Sequence, residues 1–403
     1  MKMGKRISAY LLVMMLVLSM AACGKKDSGE STDAGQNTAV VPDFTETELT
    51  EKEFAPTAEN VRIIGRAQVV DDTLWLVHSG SGAEFIFKGT SATITMKPDS
   101  ALNSGMDSQT RIAVYVNGER VVDEMVDKLE KTYTVFESEE AQECTIRVVK
   151  LSEAANSTAG IASIEVISMG NIYPTPERER YIEFIGDSIT CGYGVDDENR
   201  DHHFSTRTED VTKTYAYKTA QALGADYSMV SFSGYGIISG YSGNGEQVTA
   251  QQLPQYYEKL GFSYGAYMGQ YYPQDMAWDF TVRQPDVIVI NLGTNDNSYV
   301  KGNAEKEAAY EAAYVEFLKV VRAHNPEATI VCTLGIMGAE LYPSVERAVV
   351  AYQGESGDAN VYAMQFDVQS SGDGYAADWH PTEATHTKAA EKLAAELQQI
   401  MGW

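Results

Sequence analysis

Four short stretches of the chain hold residue types that could carry acyl chemistry. Ser188 stands in Gly186-Asp187-Ser188-Ile189-Thr190, directly after the apolar run Tyr181–Ile185. A serine at the turn from a buried strand into a helix projects its hydroxyl at the carboxyl edge of a sheet. The free N–H groups and positive dipole end of that helix can hold an oxyanion. Ser231-Phe232-Ser233-Gly234-Tyr235-Gly236 follows a second strand-like run, and a glycine there lets a backbone N–H approach a reacting oxygen closely. Asn291-Leu292-Gly293-Thr294-Asn295-Asp296 follows a third, where an Asn amide can donate to the same oxygen. Asp378-Trp379-His380-Pro381 precedes the last helical pattern and offers a base that can take the serine proton and return it to a leaving alcohol. Taken singly, each stretch reads as well as a helix cap, a turn, an Asx turn or the start of a helix. Together they are stronger, because all four fall in one chain order on the same edge of one expected sheet.

In that order the four stretches resemble the SGNH (GDSL-type) hydrolase superfamily over roughly residues 180–403. The resemblance implies Ser188 as nucleophile, the Ser188 N–H, Gly234 and Asn295 as oxyanion hole, and His380 as base. A narrower likeness rests on Gly186-Asp187-Ser188-Ile189-Thr190-Cys191-Gly192-Tyr193-Gly194, Asn291 to Ser298, and Asp378-Trp379-His380-Pro381 with the following Ala384-Thr385-His386, together with a leading β-domain. This set is similar to the second carbohydrate-esterase family, which implies an acetylxylan or glucomannan deacetylase working through an acetyl-enzyme. One position departs from the superfamily: the Asp usually found three residues before the His is Ala377 here. Asp378 stays open as a third triad member, against a backbone carbonyl that would orient the imidazole but stabilise its cation less. No Gly-x-Ser-x-Gly occurs, which disfavours an ordinary α/β-hydrolase elbow.

Two blocks of structure must position these residues. From Tyr181 onward, strands at Tyr181–Ile185, Tyr227–Phe232, Asp286–Leu292, Thr329–Leu334 and Val361–Phe366 alternate with helices at Tyr215–Leu223, Glu305–His324 and Thr382–Met401. That period predicts a three-layer α/β/α, flavodoxin-like sandwich with a parallel sheet, over 178–403. Residues 56–172 carry many short alternating runs, among them Leu74–Val77, Ala83–Phe87, Ala92–Met96, Ile112–Val116, Lys131–Phe136, Cys144–Val149 and Ile161–Ile167. An Asn117-Gly118 hairpin signal interrupts them, and the whole predicts an all-β sandwich or jelly roll. Residues 171–179, with Pro174 and Pro176, read as the linker.

Tyr235, Trp278 and Trp379 are the candidate sugar contacts, and the aromatic stretch 256–280 reads either as a cleft lining or as core packing of a long loop. His202, His203 and His386 lack ligand spacing for a metal and read as structural or exposed. No metal and no cofactor is expected.

The formal net charge of −26 argues against nucleic acid or anionic lipid as a partner. Lys2, Lys5 and Arg6 precede the apolar run Leu11–Met20, and Ala21-Ala22 precede Cys23. This resembles a lipoprotein signal peptide over 1–22 with Cys23 as the lipidated residue. Residues 23–55 then form a disordered tether. The expectation is a monomer anchored outside the cell membrane by its lipid, or secreted. Without residues 1–22 the charge is about −29. Cys144, Cys191 and Cys332 read as packing residues. Two other readings stay open: an SGNH lipase or thioesterase for longer acyl chains, and a carbohydrate-binding lipoprotein without catalysis.

Overall fold

The computed structural model describes Pro42 and residues 44–403. The expectations for residues 1–22 and Cys23 lie outside the described residues. Among those described, no helix is long and apolar enough to cross a membrane.

The first block is an antiparallel sheet of β1 (Thr50–Phe54), β2 (Arg62–Ile64), β3 (Ala67–Val70), β4 (Thr73–Leu76), β5 (Gly82–Pro98), β6 (Arg111–Val116), β7 (Glu119–Met125), β8 (Lys131–Lys150), β9 (Ala159–Ser168) and β10 (Tyr173–Pro174). Its main path runs β3-β4-β9-β5-β8-β6-β7. The sequence divides β5 and β8 into two runs each. The chain instead carries both strands through, and the register shifts at Gly89/Ser91 and Ala92/Thr93 let the pair bend. Phe85, Phe87, Ile94 and Met96 alternate inward to a core shared with Ile146 and Ile164. Asn117 and Gly118, at φ 50° and 88°, make the primed turn of the β6–β7 hairpin.

Two boundaries are corrected. The tether expected over 23–55 overlaps a strand, because Thr50–Phe54 pairs antiparallel with Ile164–Ser168. The Thr-Glu-Lys-Glu-Phe run hides this strand: its backbone bonds to β9 while most of its side chains stay in water. In the expected linker, Tyr173–Pro174 pairs with Phe85–Ile86.

The second block is a parallel sheet of β11 (Arg180–Gly186), β12 (Ala225–Ser231), β13 (Val287–Asn291), β14 (Thr329–Ile336) and β15 (Val361–Val368), in the order β12-β11-β13-β14-β15. This is the flavodoxin-like order, with a switch point beside β11. Its helices are α1 (Ser188–Cys191), α2 (Tyr215–Ala222), α3 (Pro254–Tyr257), α4 (Thr294–Val300), α5 (Ala304–His324), α6 (Tyr342–Ser356) and α7 (Glu383–Met401). Ile288 and Ile290 face α5 and α6, while Val287 and Val289 face α2 and α7. This two-sided burial explains the unbroken apolar run of β13. Helix α6 has no counterpart in the sequence reading. Its inward Val345, Ala348, Val349 and Tyr352 keep helical spacing, and Pro343 sits in the first turn, where proline is tolerated.

The two blocks share their cores. Val77, Ala154 and Ala155 of the first join the layer of α5 and α6, and Ile64, Ala113, Val149 and Leu151 join the layer of α2 and α7. Arg120–Asp210 at 2.8 Å and Arg111–Asp196 at 2.6 Å tie the same boundary.

Candidate active site

The carboxyl ends of β11, β12 and β13 lie side by side, with Gly186 in register with Ser231 and Asn291. Each strand feeds one of the predicted stretches. After β11 the chain turns at once into α1. A Cβ on Gly186 would sit 2.1 Å from the Thr190 hydroxyl, so only glycine lets the helix fold back this tightly. Asp187 caps the helix by accepting from Ile189 N–H. Ser188 is thus the first helical residue, and its own N–H has no partner among the described residues.

His380 Nε2 lies 2.9 Å from Ser188 Oγ. Its Nδ1 lies 3.1 Å from the Ala377 carbonyl, so Nδ1 carries the proton and Nε2 offers its lone pair to the serine. The Tyr193 ring stacks on the imidazole at 3.8 Å between centroids. Asp378, the open third member, points elsewhere: it accepts from the Tyr193 hydroxyl at 2.6 Å and pairs with His203 at 2.8 Å. The backbone does what the missing Asp would do. Asp378 and Trp379 take φ of 49° and 64°, a conformation that costs bulky residues about 1–3 kcal/mol each and persists only where the surroundings enforce it. The Ala377 and Asp378 N–H groups, bonded to the Asp197 and His202 carbonyls, enforce it. Ala377 itself is packed against Gly194, where even a Cβ would come within 2.8 Å of it. Replacing Asp378 by Ala is therefore expected to lower kcat/KM by no more than about tenfold, against the about 10⁴-fold loss that follows removal of a true triad Asp function. Steady-state kinetics on an acetyl ester separates the two.

Burial depresses the His380 pKa to about 4, against the weaker pull of the Ala377 carbonyl and the Asp378 charge. A general base works in its neutral form, and kcat/KM reports the free enzyme. The limb due to His380 is expected near 4 rather than near the ordinary 6.5. The same shift bears on stability: between those two values the unfolded chain binds a proton that the folded chain refuses, so stability is lost as the medium is acidified through that window. A His380 imidazole found by NMR of the free enzyme to titrate near the ordinary value would contradict this environment.

The candidate oxyanion residues are pinned by two acids that the sequence reading passed over, although both stand inside its motifs. Asp296 is buried and accepts from the Ile237, Ile238 and Ser239 N–H groups at 2.7–3.0 Å, fixing the loop after Gly234. Burial raises its pKa to about 6. Asp187 is raised to about 7 by burial, with Asp296 repulsion adding to it. Asn295 donates to the Tyr235 carbonyl at 2.8 Å and to Asp187 at 3.3 Å, the longer bond being the weaker of the two. Gly234, at φ 83°, has an N–H without a partner among the described residues.

The aromatic candidates divide. Trp379 is 48% exposed beside His380, with the Arg200 guanidinium 4.2 Å over its ring. Tyr235 is corrected: its ring is buried against Phe232 and Phe262, and its part in the site is the carbonyl that orients Asn295. Trp278 is corrected too. It lines a cavity with Tyr181 and Asp226 at the amino ends of β11 and β12, opposite the edge that carries Ser188. In the 256–280 stretch core packing prevails: Tyr257 and Tyr267 are fully buried, whereas Tyr264 is exposed. His386 is buried and accepts from Tyr215 N–H at the start of α2, while His202 and His203 pair with Asp197 and Asp378 near the surface. Cys144, Cys191 and Cys332 are buried and unpaired. Among the described residues no group of three or more His, Cys, Asp or Glu side chains is placed to hold a metal ion.

Comparison with known proteins bears on the family and the fold. Residues 63–176 match the carbohydrate esterase 2 N-terminal family, and residues 182–393 match the GDSL-like lipase/acylhydrolase family. A cellulase/esterase, CelE, of Acetivibrio thermocellus is 32% identical over 330 residues, 81% of this chain but only 37% of that protein. An acetylxylan esterase / glucomannan deacetylase of Cellvibrio japonicus is 28% identical, with 87% of this chain and 91% of that one covered. Among solved structures, an acetyl xylan esterase from the rumen bacterium Butyrivibrio proteoclasticus superposes with a TM-score of 0.78 at 25% identity, covering 89% of this chain and 100% of the other. The chain belongs to the GDSL-like lipase/acylhydrolase family, its hydrolase domain joined to a carbohydrate esterase 2 N-terminal domain.

Proposed function

We propose that this chain is a serine esterase that removes O-acetyl groups from polysaccharides or oligosaccharides, acetylated xylan and glucomannan among them. The observation that carries the reading is the Ser188–His380 contact of 2.9 Å on an imidazole oriented by a carbonyl. It stands in a chain whose relatives are named for that activity.

In the proposed cycle His380 Nε2 takes the Ser188 proton as Oγ attacks the acetyl carbonyl. The carbonyl oxygen gathers charge and receives hydrogen bonds from the Ser188 N–H, the Gly234 N–H and the Asn295 amide. The tetrahedral adduct collapses, the C–O bond to the sugar breaks, and His380 passes its proton to the sugar oxygen. Water then attacks the acetyl-enzyme with His380 again as base, releasing acetate and restoring Ser188. The stacked Tyr193 ring and the Ala377 carbonyl hold the imidazole in one orientation, with Nδ1–H kept on the carbonyl and Nε2 left to take up and return the proton. The exposed ring of Trp379 supplies a face for sugar C–H bonds at the mouth of the site.

A comparison of p-nitrophenyl acetate with a long-chain p-nitrophenyl ester tests the acyl preference. Turnover of the acetate ester supports the reading, and turnover confined to the long chain favours a lipase. We further propose a monomer held outside the membrane by a lipid on Cys23, for which detergent-phase partitioning lost in Cys23→Ala is the check.

A further inference from the structure

The antiparallel domain reaches behind the active site through one carboxylate. Glu153 follows β8 and is only 2% exposed. Its Oε2 accepts from Ser233 N–H at 2.7 Å and lies 3.6 Å from Cys191 Sγ. Its Oε1 accepts from the Asn156 amide at 2.7 Å. The Glu153 backbone is itself held, its N–H donating to Glu209 Oε2 at 2.9 Å and its carbonyl accepting from Lys150 Nζ at 2.9 Å. Burial pushes the Glu153 carboxyl up, against its bonds to Ser233. A carboxyl is costly to bury, and each acceptor oxygen here is satisfied by a donor.

What this carboxylate touches is specific. Ser233 immediately precedes Gly234, and Cys191 lies on α1 with Ser188. On the far side of Gly234, its carbonyl accepts from Tyr241 N–H at 2.8 Å. Glycine has the loosest backbone of any residue, so the peptide plane carrying the Gly234 N–H takes its direction from these two flanking bonds.

We propose that Glu153 is a positioning residue: through Ser233 it aims the Gly234 N–H at the oxyanion, so that the first domain is part of the catalytic apparatus. This rests on the esterase reading above. Glu153→Asp withdraws the carboxylate by one methylene, and Glu153→Gln keeps the reach and one acceptor oxygen. In the full chain, with an acetyl ester, Glu153→Asp is expected to lose about 10- to 100-fold in kcat, the scale of a small misplacement of a catalytic donor. KM should stay within about twofold, and Glu153→Gln should recover kcat to within about fivefold of wild type.

A folded Glu153→Asp variant with unchanged kcat overturns the proposal. An Asp variant that does not fold, or Asp and Gln variants that lose activity together with a lowered unfolding temperature, assigns Glu153 to the core and also overturns it. A wild-type chain without Ser188-dependent turnover would instead sink the esterase reading, a result distinguishable from either.

Discussion

Ser188→Ala is expected to lower kcat/KM on an acetyl ester by about 10⁴-fold or more, the scale seen when a catalytic serine is removed. The hydroxyl is the atom that bonds to the acyl carbon, and nothing beside it can substitute: Cys191 is buried, and burial pushes its thiol well up, away from the reactive thiolate. The substitution deletes one oxygen whose partner is His380, so the fold should persist, which thermal unfolding checks. The residual rate should reflect the oxyanion donors alone.

His380→Ala is expected to cost about 10³- to 10⁴-fold or more in kcat/KM, because Ser188 then has no base within reach. The buried His386 bonds to Tyr215 N–H, and His203 is engaged by Asp378, so neither can take over. Serine and histidine act as one unit. The double variant Ser188→Ala/His380→Ala should therefore be no slower than the worse single variant. Losses that multiply would mean the two residues work independently, against the 2.9 Å contact.

The parallel sheet and the place of the Ser188, Gly234 and Asn295 motifs at its carboxyl edge were legible because chemistry and periodicity coincide there. A buried strand must be apolar on both faces, and the residue that follows it emerges at the active edge. Asp296 was legible as a letter of its motif but not as a device, since the three N–H groups it holds belong to a loop almost sixty residues away in sequence. The orientation of His380 lay beyond the sequence for a related reason. Whether Asp378 or a carbonyl meets Nδ1 depends on two left-handed residues in succession, which no propensity favours. Trp278 and Tyr235 misled because an aromatic suits a sugar platform and a core equally: burial decides Tyr235, and its place at the amino ends of β11 and β12 decides Trp278. The strand Thr50–Phe54 was hidden by its charged side chains, since an edge strand needs backbone partners more than apolar residues.

The central claim is tested most directly by acetate release from acetylated xylan and glucomannan, with wild type and Ser188→Ala assayed side by side. The account predicts acetate from the wild type and essentially none from the variant. Equal release from both would contradict it by placing catalysis elsewhere than Ser188, and no release from any acetylated saccharide while the chain still binds the polymer would contradict it and leave a carbohydrate-binding protein.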